Sequence, residues 1–267
     1  MRHMLRYVIA LILVMTGSAQ AADIQLYAAG SLHAALTDVA NAFTAATGHG
    51  VQEKFGPSGV LKDEIDAGAR ADVFASANME YPQALNLAHK SGAVTLFTRN
   101  KLCALVKPGL RVDSANLVDR MLDPAIKLGT STPNSDPSGD YAFEVFRKVE
   151  AIRPGAGKAL ENKALMLTGS TKSATPPAGR SPYGWHIAEG RADIFLAYCT
   201  AAAEARIQYA DLQIVALPDN LAVGADYGLT VINGAPPAAG EFARFILAPA
   251  GQRILVGYGF APGQSER

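Results

Sequence analysis

Three short stretches pair a hydroxyl with glycine where an apolar, strand-like run gives way to a helix-like one: Gly30-Ser31, Pro57-Ser58-Gly59 and Pro137-Ser138-Gly139. A helix beginning at such a point presents backbone N–H groups with no intrahelical acceptor, and the aligned peptide dipoles place roughly half a positive charge there. Serine adds one more donor. Several such ends facing one space would hold a small anion with neutral donors alone. Taken singly, each serine also fits an ordinary N-cap, a position serine favours for helix stability alone. Convergence of the three separates the two readings.

The elements that must position these residues alternate along the chain. Residues 24–29 read as a buried strand, and Leu32, Leu36, Val39, Ala40 and Phe43 recur at helical spacing before a stop at Gly48. The pattern repeats with strands at 51–55 and 73–76 and helices at 60–67 and 82–91. This predicts an open, mostly parallel α/β sheet. A new strand at 102–106, a helix at 115–122 and a strand at 126–129 open a second α/β lobe. Tyr141, Val145, Phe146 and Val149 form a helical stripe, and strands follow at 194–198, 213–216 and 229–232. Helices at 238–247 and 251–258 close the chain, and the Pro/Gly cluster at 168–184 reads as a loop. In open α/β sheets ligands sit beyond the C-terminal strand ends, where the three serines fall.

The chain has 267 residues, 49% hydrophobic and 18% charged, which suffices for one large domain or two lobes and excludes disordered and fibrous classes. Lys plus Arg and Asp plus Glu both number 24, so no net field draws the protein to nucleic acid or an anionic membrane. Arg2 and Arg6 precede an apolar run at 7–15, and Ala19-Gln20-Ala21 offers the small residues a signal peptidase reads, so 1–21 is expected to be a cleaved secretory signal. Its loss would leave 22 basic against 24 acidic residues, a charge of −2. An anionic ligand must then be attracted by local donors. His33, His49, His89 and His186 are scattered without metal-ligand spacing, so no metal is expected by direct coordination and they read as surface or cap residues. His33, close to Ser31, could lean over the mouth of a site there. Cys103 and Cys199 make at most one bridge; a disulfide and two buried thiols both fit.

With the elements in place, longer stretches carry a resemblance. Ala28-Ala29-Gly30-Ser31-Leu32, Phe55-Gly56-Pro57-Ser58-Gly59-Val60-Leu61 and the run from Ile65-Asp66-Ala67-Gly68 through Asp72-Val73-Phe74-Ala75-Ser76-Ala77 resemble the periplasmic molybdate-binding proteins of ABC importers. So do Pro137-Ser138-Gly139-Asp140-Tyr141-Ala142, Glu189-Gly190-Arg191-Ala192-Asp193 leading to Tyr198, and Gly251-Gln252-Arg253-Ile254-Leu255 ending at Tyr258-Gly259-Phe260. The resemblance implies a two-lobed type II periplasmic-binding fold, each lobe an open mixed sheet flanked by helices. Its lobes would comprise residues 22–100 with 218–267, and 101–217. Its interlobe cleft would take one tetrahedral oxyanion, molybdate or tungstate, and the protein would act as a monomer that docks on a membrane permease. Ser31 and Ser58 match the two ligand-contacting hydroxyls, Ser138 a backbone donor and Tyr198 the hydroxyl that completes the shell, with Gly30 and Gly59 beside them. The family's remaining contact, made by the backbone of an apolar residue, falls at Gly179-Arg180-Ser181-Pro182-Tyr183. There Arg180 either enters the cleft or lies on the surface, and Ser181 is a further candidate. Arg70 stands where the family commonly has proline.

The donor set suits a fully deprotonated dianion, whose oxygens only accept. Phosphate keeps a proton near neutral pH and needs an acceptor; Asp136 is the one candidate, although an N-cap role would turn it to its own helix. Sulfate, another small anion or a chelated metal on the same fold is the nearer alternative. A secreted serine hydrolase is the distant one, because no serine here lies in G-x-S-x-G and no histidine is placed as its base.

Overall fold

The computed structural model describes residues 23–263, so the expected signal peptide lies outside the described residues. β1 (Ile24–Ala29) leads through a single 3₁₀ turn at Gly30–Leu32 into α1 (His33–Thr47), whose buried face is Leu36, Val39, Ala40 and Phe43. Gly48 ends α1 in the left-handed conformation, φ 78°, which only glycine adopts freely. β2 (Val51–Gly56), α2 (Ser58–Asp66), β3 (Val73–Ser76) and α3 (Glu80–Leu87) follow. β1 lies between β2 and β3, parallel to both.

The chain then makes its longest strand, β4 (Thr95–Val106), seven residues earlier than the apolar run at 102–106 predicts. After it come α4 (Leu117–Leu122), β5 (Leu128–Ser131), α5 (Pro137–Ile152), α6 (Ala156–Lys163) and β6 (Leu165–Thr168). Next are α7 (Pro182–Ala188), β7 (Ile194–Tyr198), α8 (Cys199–Gln208) and β8 (Gln213–Ala216). β9 (Gly224–Val231), α9 (Pro237–Leu247), α10 (Pro249–Gly257) and the short β10 (Ala261–Pro262) complete the chain. The expected loop at 168–184 is shorter at both ends, since Thr168 closes β6 and Pro182 opens α7.

The strands form a mixed sheet in the order β2-β1-β3-β9-β4-β7-β5-β6. Its pairing divides within β4. Thr95 to Lys101 pair antiparallel with β9, whereas Leu102 to Val106 pair antiparallel with β7. β9 is also antiparallel to β3, so the first half is less parallel than the sequence predicts. The result is a two-lobed type II periplasmic-binding architecture, with β4 running from one half into the other.

Cys103 and Cys199 are bonded, with Cα atoms 4.9 Å apart, which settles the choice left open by the sequence. Cys103 lies opposite Ala197 in the β4–β7 ladder. The bridge therefore ties the start of α8, and with it the end of β7 at Tyr198, to β4.

Candidate functional site

The turn after β1, the turn after β2, the end of β7 and the loop after β6 meet around a cavity of about 490 Å³. Gly30, Ser31, Pro57, Ala77, Asp136 and Tyr198 are among the residues lining it, and among the described residues no Lys, Arg or His does so. A second, adjoining cavity of about 320 Å³ shares Gly30 and Ser31 and carries His33, Arg180 and Glu204 at the mouth.

The hydroxyls are oriented by their neighbours. Asn100 Nδ2 donates to Tyr227 Oη at 3.3 Å, and Tyr227 Oη lies 2.9 Å from Ser31 Oγ. A phenol that accepts from an amide has its own proton to give, so Tyr227 donates to Ser31 and leaves the Ser31 proton free for a ligand. Ser58, 1% exposed, repeats the device: its Oγ accepts from the Ala77 N–H at 3.1 Å and keeps its own proton. Tyr198 is buried and its hydroxyl donates to Ala77 O over a long 3.4 Å, a bond that a charged acceptor would readily replace. Burial holds the Tyr198 and Tyr227 hydroxyls well above the usual phenol range, so both remain neutral donors.

Asp136 is the N-cap of α5 and its Oδ1 accepts from the Ser138 N–H at 3.1 Å, as an N-cap reading expects. The same carboxyl also lines the cavity. Burial pushes it up to about pH 6, only partly offset by the Ser138 N–H and the Ser131 hydroxyl. Gly169, at φ +83°, lies against it, and a side chain at 169 would come within 2.9 Å of Asp136 Oδ2. Among the described residues this cavity is thus lined by one acid, Asp136, which the sequence raises only as an acceptor for phosphate.

Of the residues singled out by sequence, Gly30, Ser31 and Tyr198 share the cavity, and Ser58 stands directly behind Pro57 and Ala77. Gly59 is turned elsewhere: its N–H donates to Ser135 O at 2.9 Å. Ser138 is fully buried outside the lining, its N–H is taken by Asp136, and its hydroxyl has no partner. Ser181 caps α7 by accepting from the Gly184 N–H, a long 3.4 Å contact. Arg180 is exposed, with its guanidinium 5.2 Å from the centre of the Tyr209 ring, so it takes the surface alternative and reaches only the mouth. His33 is exposed at that mouth and packs edge-on against Phe55. His186, expected at the surface, is buried beside Phe195.

Thr168, Ser170 and Ser173 also line the cavity, as does Tyr183. The signal that could have flagged the first three is the hydroxyl-rich run Thr168-Gly169-Ser170-Thr171-Lys172-Ser173, read above only as part of a loop.

Comparison with known proteins agrees with this architecture. Residues 24–261 match the model of the bacterial extracellular solute-binding protein family. An uncharacterised protein of Pasteurella multocida is 31% identical over 239 residues, covering 89% of this chain and 98% of its own. Molybdate-binding protein ModA of Azotobacter vinelandii is 30% identical over 152 residues, 55% of this chain and 59% of that one. Among solved structures, the periplasmic molybdate-binding protein of the same organism superposes with TM-score 0.72 at 19% identity, over 91% of this chain and 100% of that chain. The sulfate-binding protein SubI of Mycobacterium tuberculosis does so with TM-score 0.73 at 19% identity, over 90% and 86%. A family match spanning nearly all described residues, on a fold whose interlobe strand ends surround a cavity lined by hydroxyls and one carboxyl, places this chain among the bacterial extracellular solute-binding proteins.

Proposed function

We propose that the protein is the periplasmic solute-binding subunit of an ABC importer and that it captures a tetrahedral oxyanion, molybdate or tungstate, for delivery to a membrane permease. The observation that carries this reading is a cavity lined, among the described residues, by no cationic side chain, into which Ser31 is directed as a donor by the Asn100–Tyr227 relay. The Ser58 hydroxyl and the Tyr198 phenol are the next two contacts, with N–H groups at the Gly30 turn beside them. An acceptor-only dianion matches donors of this kind. We assign the lobes as 22–100 with 218–267, and 101–217; the change of β4 partner between Lys101 and Leu102 supports that division. Binding, rather than hydrolysis, is the work of these serines.

Each hydrogen bond to a charged group is worth about 1.5–3 kcal/mol. Ser31→Ala and Ser58→Ala are therefore expected to weaken molybdate binding by roughly ten- to a hundredfold each in titration calorimetry. Unchanged affinity in both variants overturns the assignment. Sulfate and tungstate titrated in parallel rank the anions by fit.

A second reading is favoured by size. About 490 Å³, partly walled by Phe55, Pro176 and Tyr183, lies within the range of small-molecule sites and exceeds what a bare oxyanion fills. It leaves room for an organic substituent on the anion. Thermal-shift competition between molybdate and small phosphomonoesters distinguishes the two, since only a true ligand raises the melting temperature by mass action.

A further inference from the structure

We propose that Asp136 is itself a ligand-binding residue and that it works as the neutral acid, its carboxyl O–H donating to an oxygen of the bound anion, so that each dianion captured takes up one proton. This rests on the reading of the cavity as an oxyanion site. The geometry assigns the two oxygens different tasks. Oδ1 is engaged by the Ser138 N–H and holds the carboxyl in place at the start of α5. Oδ2 lies over Gly169, a residue of the cavity wall with no side chain of its own to intervene. An ionised carboxylate there would oppose a dianion inside the same enclosure, where charges are poorly screened. A protonated carboxyl instead supplies a donor to a shell that consists of donors. The step balances with the buffer as proton source: carboxylate, dianion and one molecule of buffer acid give the carboxylic acid hydrogen-bonded to the dianion and the buffer's conjugate base. The O–H bond at Asp136 is formed, the bond to hydrogen in the buffer acid is broken, and no bond to the anion changes.

The Ser138 N–H and the Ser131 hydroxyl favour the ionised carboxyl, but burial outweighs them and the rest of the surroundings favour protonation. Asp140 on α5 adds negative charge. Tyr183 on α7, Tyr198 at the end of β7 and Tyr227 on β9 present only phenols that stay neutral. Tyr81 on α3 is held up in the same way. The ionisable groups of the neighbouring mouth are His33, Arg180 and Glu204. The free carboxyl already sits near pH 6 through burial, so a dianion beside it need only move it further in the same direction.

The test is calorimetric titration of the exported chain with molybdate and with sulfate between pH 6.5 and 8.5, in pairs of buffers that differ in ionisation enthalpy. The expected result is uptake approaching one proton per anion toward pH 8, with affinity falling about tenfold per pH unit there. Asp136→Asn keeps a side chain suited to the N-cap and should bind with no proton uptake and a flat pH profile. His33→Gln should leave the wild-type slope intact, which separates the mouth histidine from Asp136. Tight binding by the wild-type chain with no proton uptake overturns the proposal, as does uptake that persists in Asp136→Asn; in both cases the oxyanion reading survives. Failure of the wild-type chain to bind either anion overturns the oxyanion reading and the proposal with it.

Discussion

A hydroxyl can give or accept a hydrogen bond, and its neighbours decide which. Tyr227 makes that decision for Ser31, because the amide of Asn100 occupies the phenol oxygen as a donor. Tyr227→Phe removes the phenol while keeping the ring that packs against Phe97, Tyr198 and Phe260. Ser31 is then free to turn its proton elsewhere. A net hydrogen bond is worth about 1 kcal/mol, so the expected loss of oxyanion affinity is about fivefold, with little change in melting temperature. Equal or tighter binding by this variant would remove Tyr227 from the site. Ser31 was legible in the sequence because it sits in the turn that follows a recognisable strand, and Tyr198 through the family resemblance. Tyr227 was not, because its bond to Ser31 joins residues 196 apart and nothing local in the run 224–231 announces it. Asp136 was legible as a cap and hidden as a cavity residue for the same reason: the cap is local, and the wall it joins is assembled from distant turns.

At the scale of elements, sequence periodicity located most of the strands and helices that carry an apolar face, passed over α6 and the short β6, and lost the polar half of β4 and α8. The first half of β4 contains Arg99, Asn100 and Lys101, which interrupt the hydrophobic run. Arg99 is paired across the strand with Asp226, Asn100 donates to Thr200 on α8 and to Tyr227, and Lys101 is exposed. α8, in which four of ten residues are alanine, has almost no amphipathic contrast to read. It is nonetheless fixed, because its first residue is Cys199, bonded to Cys103 in β4. A bridge closing a loop with a sequence separation of 96 restricts the unfolded chain by about 4–5 kcal/mol on the chain-entropy account. Reduction, or the double change of both cysteines to serine, is thus expected to lower the melting temperature by roughly 10 °C in scanning calorimetry. Complete reduction with an unchanged transition would show that β7 and α8 hold Tyr198 in place without it.

Across the whole molecule, the two sheet halves meet at more than the shared strand. The Gly59 N–H at the start of α2 donates to Ser135 O at 2.9 Å, and Tyr81 Oη donates to Asn134 O at 3.0 Å, so the first half grips the segment that leads into α5. Gly59 allows this approach because it has no Cβ: one built there would stand 2.8 Å from both the Asn134 and the Ser135 carbonyl oxygens, and backbone atoms cannot swing aside. Closure of two lobes around a ligand is a hinge motion, and a ligand touching both lobes stabilises the closed arrangement by its differential affinity for it. Gly59→Val should therefore leave each half folded and hold the two apart. Overpacking of this kind costs about 1–3 kcal/mol, which corresponds to oxyanion binding weakened by roughly five- to a hundredfold, chiefly through faster release. The wild-type chain should contract on binding in small-angle scattering, and the variant should contract less or not at all. A variant that binds and contracts as the wild type does would show that the Gly59–Ser135 contact is incidental to closure. The residue that resembled a ligand contact would on this account serve the site from the start of α2, by letting the halves come close enough for Ser31 and Tyr198 to face the same anion.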